Sequence, residues 1–421
     1  MHLGLVADDL TGAADAALPF AEHGFDAIVQ LSTDTLIPPM EGHVVAVAAR
    51  TRHLPADQAR DSVDDVIRDL RAAGFDTFFK KIDSTLRGNI GAEVEGALHA
   101  SGASVAVVCP AFPAHGRTVE RGRARVYGVA LSEAAVGRDR RNPVACDRIA
   151  DVLALQTTLP IVEVHLPPAR LRRGHEAQII VADGESEADL HAWVRTFGLT
   201  RDVLWVGSAG LAEAIAGVMA GRSAVVMRRD RECRVATGEY SAILVVVGSL
   251  HPTCREQLAR LRDLPGASSI EIEPSDVLAG QIETQRVIDQ VATRLRRCET
   301  CILSVQEAAD QGNGKEGSAR DSNDGERLAA WLGEVAARAL ENIPPGVSLI
   351  LTGGDTAHGV IEALGIQRLR VIQAAASGIP AMETLDGRYT IVTKAGGFGT
   401  AETLAAIVTM LRKGKRECRT R

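Results

Sequence analysis

The sequence predicts an α/β protein made of two α/β domains with largely parallel sheets. Short apolar runs alternate with helix-like segments along the 421 residues, which is the pattern of strand–helix repeats in such sheets. Polar or glycine-rich turns follow several of these runs, at the position where open α/β sheets bind their ligands. Residues 222–241 are charged, rich in turn formers and without periodicity, so they mark a boundary. We expect an N-terminal domain over residues 1–230, a C-terminal domain over 240–410 and a disordered basic tail over 411–421.

The composition is that of a globular protein with an acidic balance. Net charge at pH 7 is −7, and hydrophobic residues make up 46% of the chain. This balance gives no indication of a nucleic-acid or anionic-membrane partner. No apolar run has the length of a membrane span and no signal peptide opens the chain, so we expect a cytoplasmic protein. The seven cysteines lack framework or zinc-site spacing and are interpreted as reduced thiols.

The first strand, Leu3–Val6, ends in a polar exit loop before an alanine-rich helix, Ala13–His23. Two adjacent carboxylates, Asp8 and Asp9, lie in that loop. Both cannot face one site from an extended chain, so one is expected to serve a ligand and the other the backbone. The alternative is that an aspartate here only caps the helix.

Further apolar runs of the N-terminal half predict strands at Ala27–Leu31, His43–Val47, Phe75–Phe79, Val105–Val108, Ile179–Ala182 and Leu204–Gly207. Helices are predicted at Asp57–Ala73 and Ile90–His99. Arg52 follows the third strand, where an arginine by itself is more often an ordinary surface residue. The turn in VGSAGLAEAIA could bind an anion at a helix N-terminus, although a plain tight turn explains it equally well.

The segment KKIDSTLRGN, residues 80–89, concentrates polar chemistry behind one buried strand. Lys80, Lys81 and Arg87 offer cationic donors for a carboxylate or phosphate. Asp83 could accept a proton from a substrate hydroxyl, and Ser84 could hold a neighbouring hydroxyl. A solvated turn with a helix cap is the alternative interpretation.

The C-terminal half carries two glycine-rich turns that suit phosphate groups. Strand Ser348–Leu351 runs into TGGDTAHG, where Gly353 and Gly354 allow close backbone approach before a helix that begins near Thr356. Asp355 could orient a magnesium ion.

A second turn, TKAGGFG, follows strand Thr390–Val392, and neither turn has the Walker A order. Ahead of both turns, strand Ile243–Val247 leads into GSLHPTC. Residues Gln311–Asp324 predict a mobile surface loop.

Several of these segments occur together, in order, in one family. VADDLTGAADAA, KKIDSTLRGN, PAFPAHGRT, LILTGGDTA and TKAGGFG resemble the four-carbon acid sugar kinases, which phosphorylate threonate, erythronate and 3-oxo-tetronate with ATP. The resemblance extends to about residue 405. It implies an ATP-dependent kinase with Mg²⁺, in which the N-terminal domain binds the acid sugar, the C-terminal domain binds ATP, and reaction occurs in the cleft between them.

The resemblance also assigns roles to individual residues. Asp9 and Arg52 match substrate-binding positions, alongside the polar residues of segment 80–89. On the nucleotide side it implies Ser249, Gly353, Gly354, Asp355, Thr356 and Gly397, and more loosely Lys394. Asp83 and Asp9 are both candidates for the base, and Asp83 is favoured because cations that would fix the substrate surround it.

Two other functions stay open at this stage. A dehydrogenase is disfavoured because neither glycine-rich turn has the G-x-G-x-x-G order of dinucleotide sites. A non-catalytic sensor of sugar acids would bind the acid without turning over ATP. The sequence selects neither the acid sugar nor the oligomeric state, and a homodimer stays open.

Overall fold

The computed structural model of the protein describes residues 1–134, 146–167, 177–222, 242–306 and 322–417. The chain divides into two compact units, Met1–Arg229 and Asp230–Arg421. Most of the predicted boundary segment (222–241) and residues 311–321 of the predicted surface loop lie outside the described residues. No helix in the described ranges is long and apolar enough to cross a membrane.

The first unit contains a parallel sheet whose strands run in the order β2-β3-β1-β4-β11-β5-β10-β9, and a small antiparallel sheet, β6-β7-β8. Its described strands are β1 (Leu3–Ala7), β2 (Asp26–Gln30), β3 (His43–Ala48), β4 (Thr77–Lys81), β5 (Val105–Cys109), β6 (Arg117–Glu120), β7 (Arg123–Val126), β8 (Val129–Ala130), β9 (Ile161–Val164), β10 (Gln178–Ala182) and β11 (Val203–Gly207). All five residues of β1 are buried, as expected of a central strand that is covered on both faces.

Helices cover both faces of this sheet. They are α1 (Leu10–Glu22), α2 (Ala56–Ala72), α3 (Ile90–Ser101), α4 (Ile149–Ala154), α5 (Glu187–Phe197) and α6 (Ala209–Arg222). Helix α2 buries Ala59, Val63, Ile67 and Leu70, which recur at the three- and four-residue spacing of one helix face. It packs against α3, while α1 packs against α6.

The predicted strands of this unit are confirmed, but the bounds of one differ in a way that matters. The strand predicted at Phe75–Phe79 is β4, which continues through Lys80 and Lys81. Parallel pairing carries it there, because Lys80 and Lys81 pair with Val6 and Ala7 of β1. Both lysines therefore belong to the sheet and not to the turn after it.

The strands of the second unit are hydrogen-bonded in the order β13-β14-β12-β15-β18-β17-β16. Pairing is parallel from β13 to β18, and β17 lies antiparallel between β18 and β16. The strands are β12 (Ile243–Val247), β13 (Ala267–Ile272), β14 (Thr300–Val305), β15 (Val347–Thr352), β16 (Arg368–Ala376), β17 (Ile379–Thr384) and β18 (Tyr389–Lys394). Its helices are α7 (Pro252–Arg262), α8 (Pro274–Leu278), α9 (Thr284–Arg296), α10 (Ser322–Leu340), α11 (Gly354–Ala363) and α12 (Thr403–Glu417).

Three local expectations for this unit are corrected. Helix α11 begins at Gly354, not near Thr356. Helix α10 begins at Ser322, so the last three residues of the predicted loop Gln311–Asp324 are helical. Helix α12 continues to Glu417, so most of the basic segment 411–421, which was expected to be disordered, is helical as well.

Candidate functional site

In the first unit, the residues predicted to bind substrate follow three neighbouring strands. Asp9 follows β1, Arg52 follows β3 and Asp83 follows β4, and these strands lie side by side in the order β3-β1-β4. Parallel strands end at the same edge of a sheet, so the three side chains are brought to one place. We call this edge, with the residues that contact them, the acidic–basic cluster.

Arg52 joins the two carboxylates that follow β1. Its Nε donates to Asp8 Oδ2 at 2.7 Å, and its Nη1 donates to Asp9 Oδ2. These contacts use two of the five N–H donors of the guanidinium group. Arg52 is therefore not the ordinary surface arginine that its position in the sequence permits.

Asp8 and Asp9 have different electrostatic environments although they are adjacent. Burial raises the pKa of Asp9 above its usual value in spite of Arg52. Burial would raise the pKa of Asp8 too, but Arg52, Lys80 and Lys81 together hold it below the usual value. Asp9 also caps α1, because its Oδ1 accepts from the backbone N–H of Gly12 at 2.5 Å. The helix-cap interpretation of Asp9 is thus correct, and it does not exclude a second role.

The two lysines of β4 are buried and paired with acids from opposite sides of the sheet. Lys80 is 0% exposed, and its Nζ lies 2.7 Å from Glu93 Oε2 of α3. Lys81 Nζ lies 3.4 Å from Asp15 Oδ2 of α1. Lys80 was predicted to contact substrate, but its ammonium group contacts Glu93 and the carbonyl oxygen of Lys81. These buried contacts give Lys80 a structural role next to the cluster. Lys81 remains at the cluster itself.

Asp83 and Arg87 form a pair within the turn after β4. Arg87 Nε donates to Asp83 Oδ2 at 2.6 Å, and Thr85 Oγ1 donates to the same oxygen at 2.5 Å. Burial opposes ionisation of Asp83, but Arg87 outweighs it and holds the pKa of Asp83 far below its usual range. A carboxylate held so firmly ionised is a weak proton acceptor. Ser84 is half-buried in the same turn.

Two residues of the cluster were missed by the sequence reasoning. Asp15 lies on α1 beside Lys81, and burial raises the pKa of its carboxyl group. A Cβ atom on Gly12 would lie 2.8 Å from Asp9 Oδ1, 3.5 Å from Asp8 Oδ1 and 3.6 Å from Lys81 Nζ, so the lack of a side chain at Gly12 lets these groups come close to α1. A single aspartate within the otherwise apolar helix LTGAADAALPFAE is the signal that could have indicated Asp15.

Three buried side-chain oxygens between residues 8 and 15 have no hydrogen-bond partner among the described residues. They are Asp8 Oδ1, Thr11 Oγ1 and Asp15 Oδ1. Buried polar atoms are normally paired, so these three oxygens are candidates to accept hydrogen bonds from a ligand. Two carboxylate oxygens and a hydroxyl suit the O–H groups of a polyol.

The glycine-serine turn after β11 is a plain tight turn. Ser208 Oγ donates to the carbonyl oxygen of Ala111 at 2.8 Å and accepts from the backbone N–H of Gly210 at 3.2 Å. Gly210 has no room for a side chain, because a Cβ there would lie 2.9 Å from Phe112 Cα. The turn is therefore packed against its neighbours, and the anion-binding alternative is not supported.

In the second unit, three turns meet at the end of three neighbouring strands. The strands β12, β15 and β18 are adjacent, and they lead to Ser249, to Gly353 and to Gly396. A Cβ atom on Gly396 would overlap Ser249 Oγ, and one on Gly397 would lie 3.0 Å from His251 Nε2. The turns pack so closely that only glycine fits at these contacts.

The N-terminus of α11 opens at this meeting point. Gly353 precedes the helix with φ 105° and ψ 136°, a conformation that is essentially confined to glycine. Because Gly353 has no side chain, it makes no side-chain capping bond to the first N–H groups of α11. The positive end of the helix dipole lies at the meeting point of the three turns. Thr356 is buried in the first turn of the helix, against Gly248.

The same turn suits a nucleotide with its magnesium ion. Glycine backbone at a helix N-terminus suits phosphate groups. Asp355 stands in the first turn of α11 and would supply a hard oxygen ligand. No group of three or more metal-ligating side chains occurs in the described part of the chain. Mg²⁺ usually binds through one or two carboxylates together with phosphate oxygens and water, so a single aspartate is compatible with it.

Lys394 does not point to a phosphate position. It is the last residue of β18 and is 1% exposed. Its Nζ donates to the carbonyl oxygens of Ala395, Gly396 and Phe398 at 2.9, 3.2 and 3.2 Å. We expected Lys394 to reach a phosphate, but its ammonium group binds the backbone of the turn itself.

The first unit carries a charged cluster that suits a polyol, and the second carries a glycine-lined helix N-terminus that suits an anion. These features are typical of a protein that binds a sugar in one half and a nucleotide in the other. Family models match both halves: a sugar-binding N-terminal domain over residues 3–215 and a nucleotide-binding C-terminal domain over residues 244–404. The chain is 32% identical to the D-threonate kinase of Salmonella typhimurium, covering 96% of this chain and 97% of that protein. The chain belongs to the four-carbon acid sugar kinase family, as its motifs predicted.

Other relatives agree with this membership, and two solved structures share the fold. A D-threonate kinase of Bordetella bronchiseptica is 32% identical, covering 98% of both chains, and a 3-oxo-tetronate kinase of Burkholderia multivorans is 27% identical, covering 95% of both. The fold resembles a Salmonella typhimurium LT2 structure named a putative tRNA synthase, with a TM-score of 0.75, 22% identity and coverage of 96% and 98%. A Haemophilus influenzae protein has a TM-score of 0.69, 18% identity and coverage of 97% and 100%. The last two likenesses concern the fold alone.

Proposed function

We propose that the protein is an ATP-dependent kinase that phosphorylates the terminal hydroxyl of a four-carbon acid sugar, with D-threonate as the first candidate. The observation that carries this proposal is the acidic–basic cluster, with its unpaired buried oxygens at Asp8 and Asp15. D-threonate comes first because relatives with that name are 30–32% identical to the chain. Relatives named 3-oxo-tetronate kinase are 26–28% identical.

The cluster can bind both ends of such a substrate. Arg52 and Lys81 keep N–H donors beyond their contacts with the acids, and these can bind the substrate carboxylate. The oxygens of Asp8 and Asp15 can accept from hydroxyl groups of the substrate. A molecule with one carboxylate and several hydroxyls on a short carbon chain matches this set of donors and acceptors.

Asp9 is the group that we assign as the base. Its pKa is raised by burial, which makes it a better proton acceptor than the strongly ionised Asp83. A second carboxylate, Asp8, lies beside it and stays ionised, so the two neighbours have different roles. Asp83 with Arg87 would instead fix the orientation of the substrate.

The second unit would bind the nucleotide. Gly353, Gly354 and Thr356 form the start of α11, where backbone N–H groups can donate to phosphate oxygens. Ser249 and Gly397 would border the same space from the neighbouring turns. With Asp355 as a ligand, Mg²⁺ would neutralise charge on the phosphates when bound.

A panel of four-carbon acids tests the proposal. ADP release from ATP and Mg²⁺ should be fastest with D-threonate, compared with D-erythronate, L-threonate and 3-oxo-tetronate. Asp9→Asn is the matched control, since asparagine can still cap α1 and should bind the acid without turnover. Binding of an acid by the wild-type protein without ADP release would identify a sensor and overturn the proposal. Faster turnover of 3-oxo-tetronate would keep the kinase and correct the substrate.

A further inference from the structure

Lys394 is a buried cation without a carboxylate partner among the described residues. Its side chain lies at the end of β18, and its ammonium group donates to three backbone carbonyl oxygens of the following turn. An ammonium group has three N–H donors, so these contacts satisfy all of them. Burial of a charge that lacks a counter-ion is costly, which argues for a function that requires it.

The turn that Lys394 binds is the one that borders the proposed nucleotide position. Gly396 and Gly397 of this turn pack against Ser249 and His251. The carbonyl oxygen of Lys394 accepts from the backbone N–H of Gly353 at 2.9 Å, so the residue is also bonded to the turn before α11.

A second buried side chain holds the same turn from another side. Gln257 of α7 is 0% exposed, and its Nε2 donates to the carbonyl oxygens of Phe398 and Thr400, both at 2.9 Å. Lys394 and Gln257 therefore contact the turn only through its backbone. Neither of these contacts depends on the side chains of the turn.

We propose that Lys394 is a positioning residue for the nucleotide, which fixes turn 395–398 through its carbonyl groups and places an uncompensated positive charge behind it. This inference rests on the proposed function, because it assumes that the second unit binds ATP. A bound polyphosphate would supply the negative charge that the protein itself does not provide. The role differs from that of a lysine that contacts phosphate directly, because the turn backbone lies in between.

Calorimetric titration with MgADP tests the inference. Lys394→Met keeps most of the side-chain length and removes the charge and all three donors, so MgADP affinity should fall about tenfold or more. The KM for ATP should rise in the same variant, while the KM for the acid sugar should stay within about twofold of the wild-type value. Lys394→Arg should recover part of the affinity, because it restores the charge and the donors.

The outcomes separate the inference from the function on which it rests. A folded Lys394→Met protein with wild-type MgADP affinity would overturn the inference. If that variant does not fold, Gln257→Met decides: weaker MgADP binding with unchanged acid-sugar binding supports positioning by the turn, and unchanged MgADP binding overturns it. A wild-type protein that fails to bind MgADP would refute the proposed function itself.

Discussion

Gly353 provides a sharp test of the nucleotide site, because its backbone and its lack of a side chain are both required. Its φ of 105° and ψ of 136° fall where other residues are strained by about 1–3 kcal/mol. A Cβ atom there would lie 3.3 Å from Thr356 Oγ1 and 3.6 Å from Ser249 Cβ, beside the first N–H groups of α11. Gly353→Ala should therefore lower the free energy of unfolding by about 1–3 kcal/mol. It should also weaken MgADP binding by about tenfold, or roughly 1.4 kcal/mol.

The matched control lies at the other end of the same helix. Gly365 also has a positive φ, 66°, but a Cβ atom there would meet nothing within 4 Å. Gly365→Ala should cost about 1–2 kcal/mol of stability and leave MgADP affinity unchanged. Urea unfolding and calorimetric titration measure the two quantities separately. Wild-type MgADP affinity in Gly353→Ala would refute the assignment, and an equal loss of affinity in Gly365→Ala would show that affinity merely follows stability.

Three further outcomes are expected. Asp9→Asn should lower kcat by at least about 100-fold, which is the usual contribution of a base. Asp83→Asn should mainly raise the KM for the acid sugar. The reverse pattern would make Asp83 the base. Arg87→Met should weaken acid-sugar binding roughly tenfold, because it removes charge-assisted bonds to Asp83. MgADP binding should stay unchanged. Loss of MgADP binding instead would mean that the acid sugar binds to the second unit. Burial lowers the pKa of Lys394 to about 8 from 10.5. At pH values between these two pKa values, the unfolded chain binds more protons at Lys394 than the folded chain does. The free energy of unfolding should therefore rise with pH across that window. Urea unfolding should show a smaller rise in Lys394→Met, and equal slopes would contradict the shift.

The sequence predicted strands well where apolar runs were bounded by polar turns. The predicted strand Ile243–Val247 has the same bounds as β12, because Ala242 and Gly248 delimit a run of β-branched and leucine residues. The prediction failed at Lys80 and Lys81, since a change from apolar to charged residues normally marks the end of a strand. Their acidic partners lie on helices elsewhere in the chain, and sequence spacing does not show such pairing.

The candidate nucleotide site was predictable one turn at a time but not as an assembly. Each glycine-rich turn was visible by itself after a strand. The contact of Gly396 with Ser249 depends on the strand order β12-β15-β18, which joins segments almost 150 residues apart in a way that local patterns do not specify. The preference for Asp9 as base likewise required the partners of Asp83, because only the geometry shows that Arg87 and Thr85 both contact the same oxygen.

The pairing of Lys80 and Lys81 has a consequence for how the first unit responds to a ligand. Successive residues of a strand face opposite sides of a sheet, so one dipeptide is tied to α3 on one side and to α1 on the other. A substrate carboxylate that binds Lys81 would change the ion pair between Lys81 and Asp15. Because Lys80 is the neighbouring residue on the same strand, the surroundings of its partner Glu93 would change as well. We therefore expect substrate binding to slow hydrogen exchange in α1 and α3 together instead of in one helix alone.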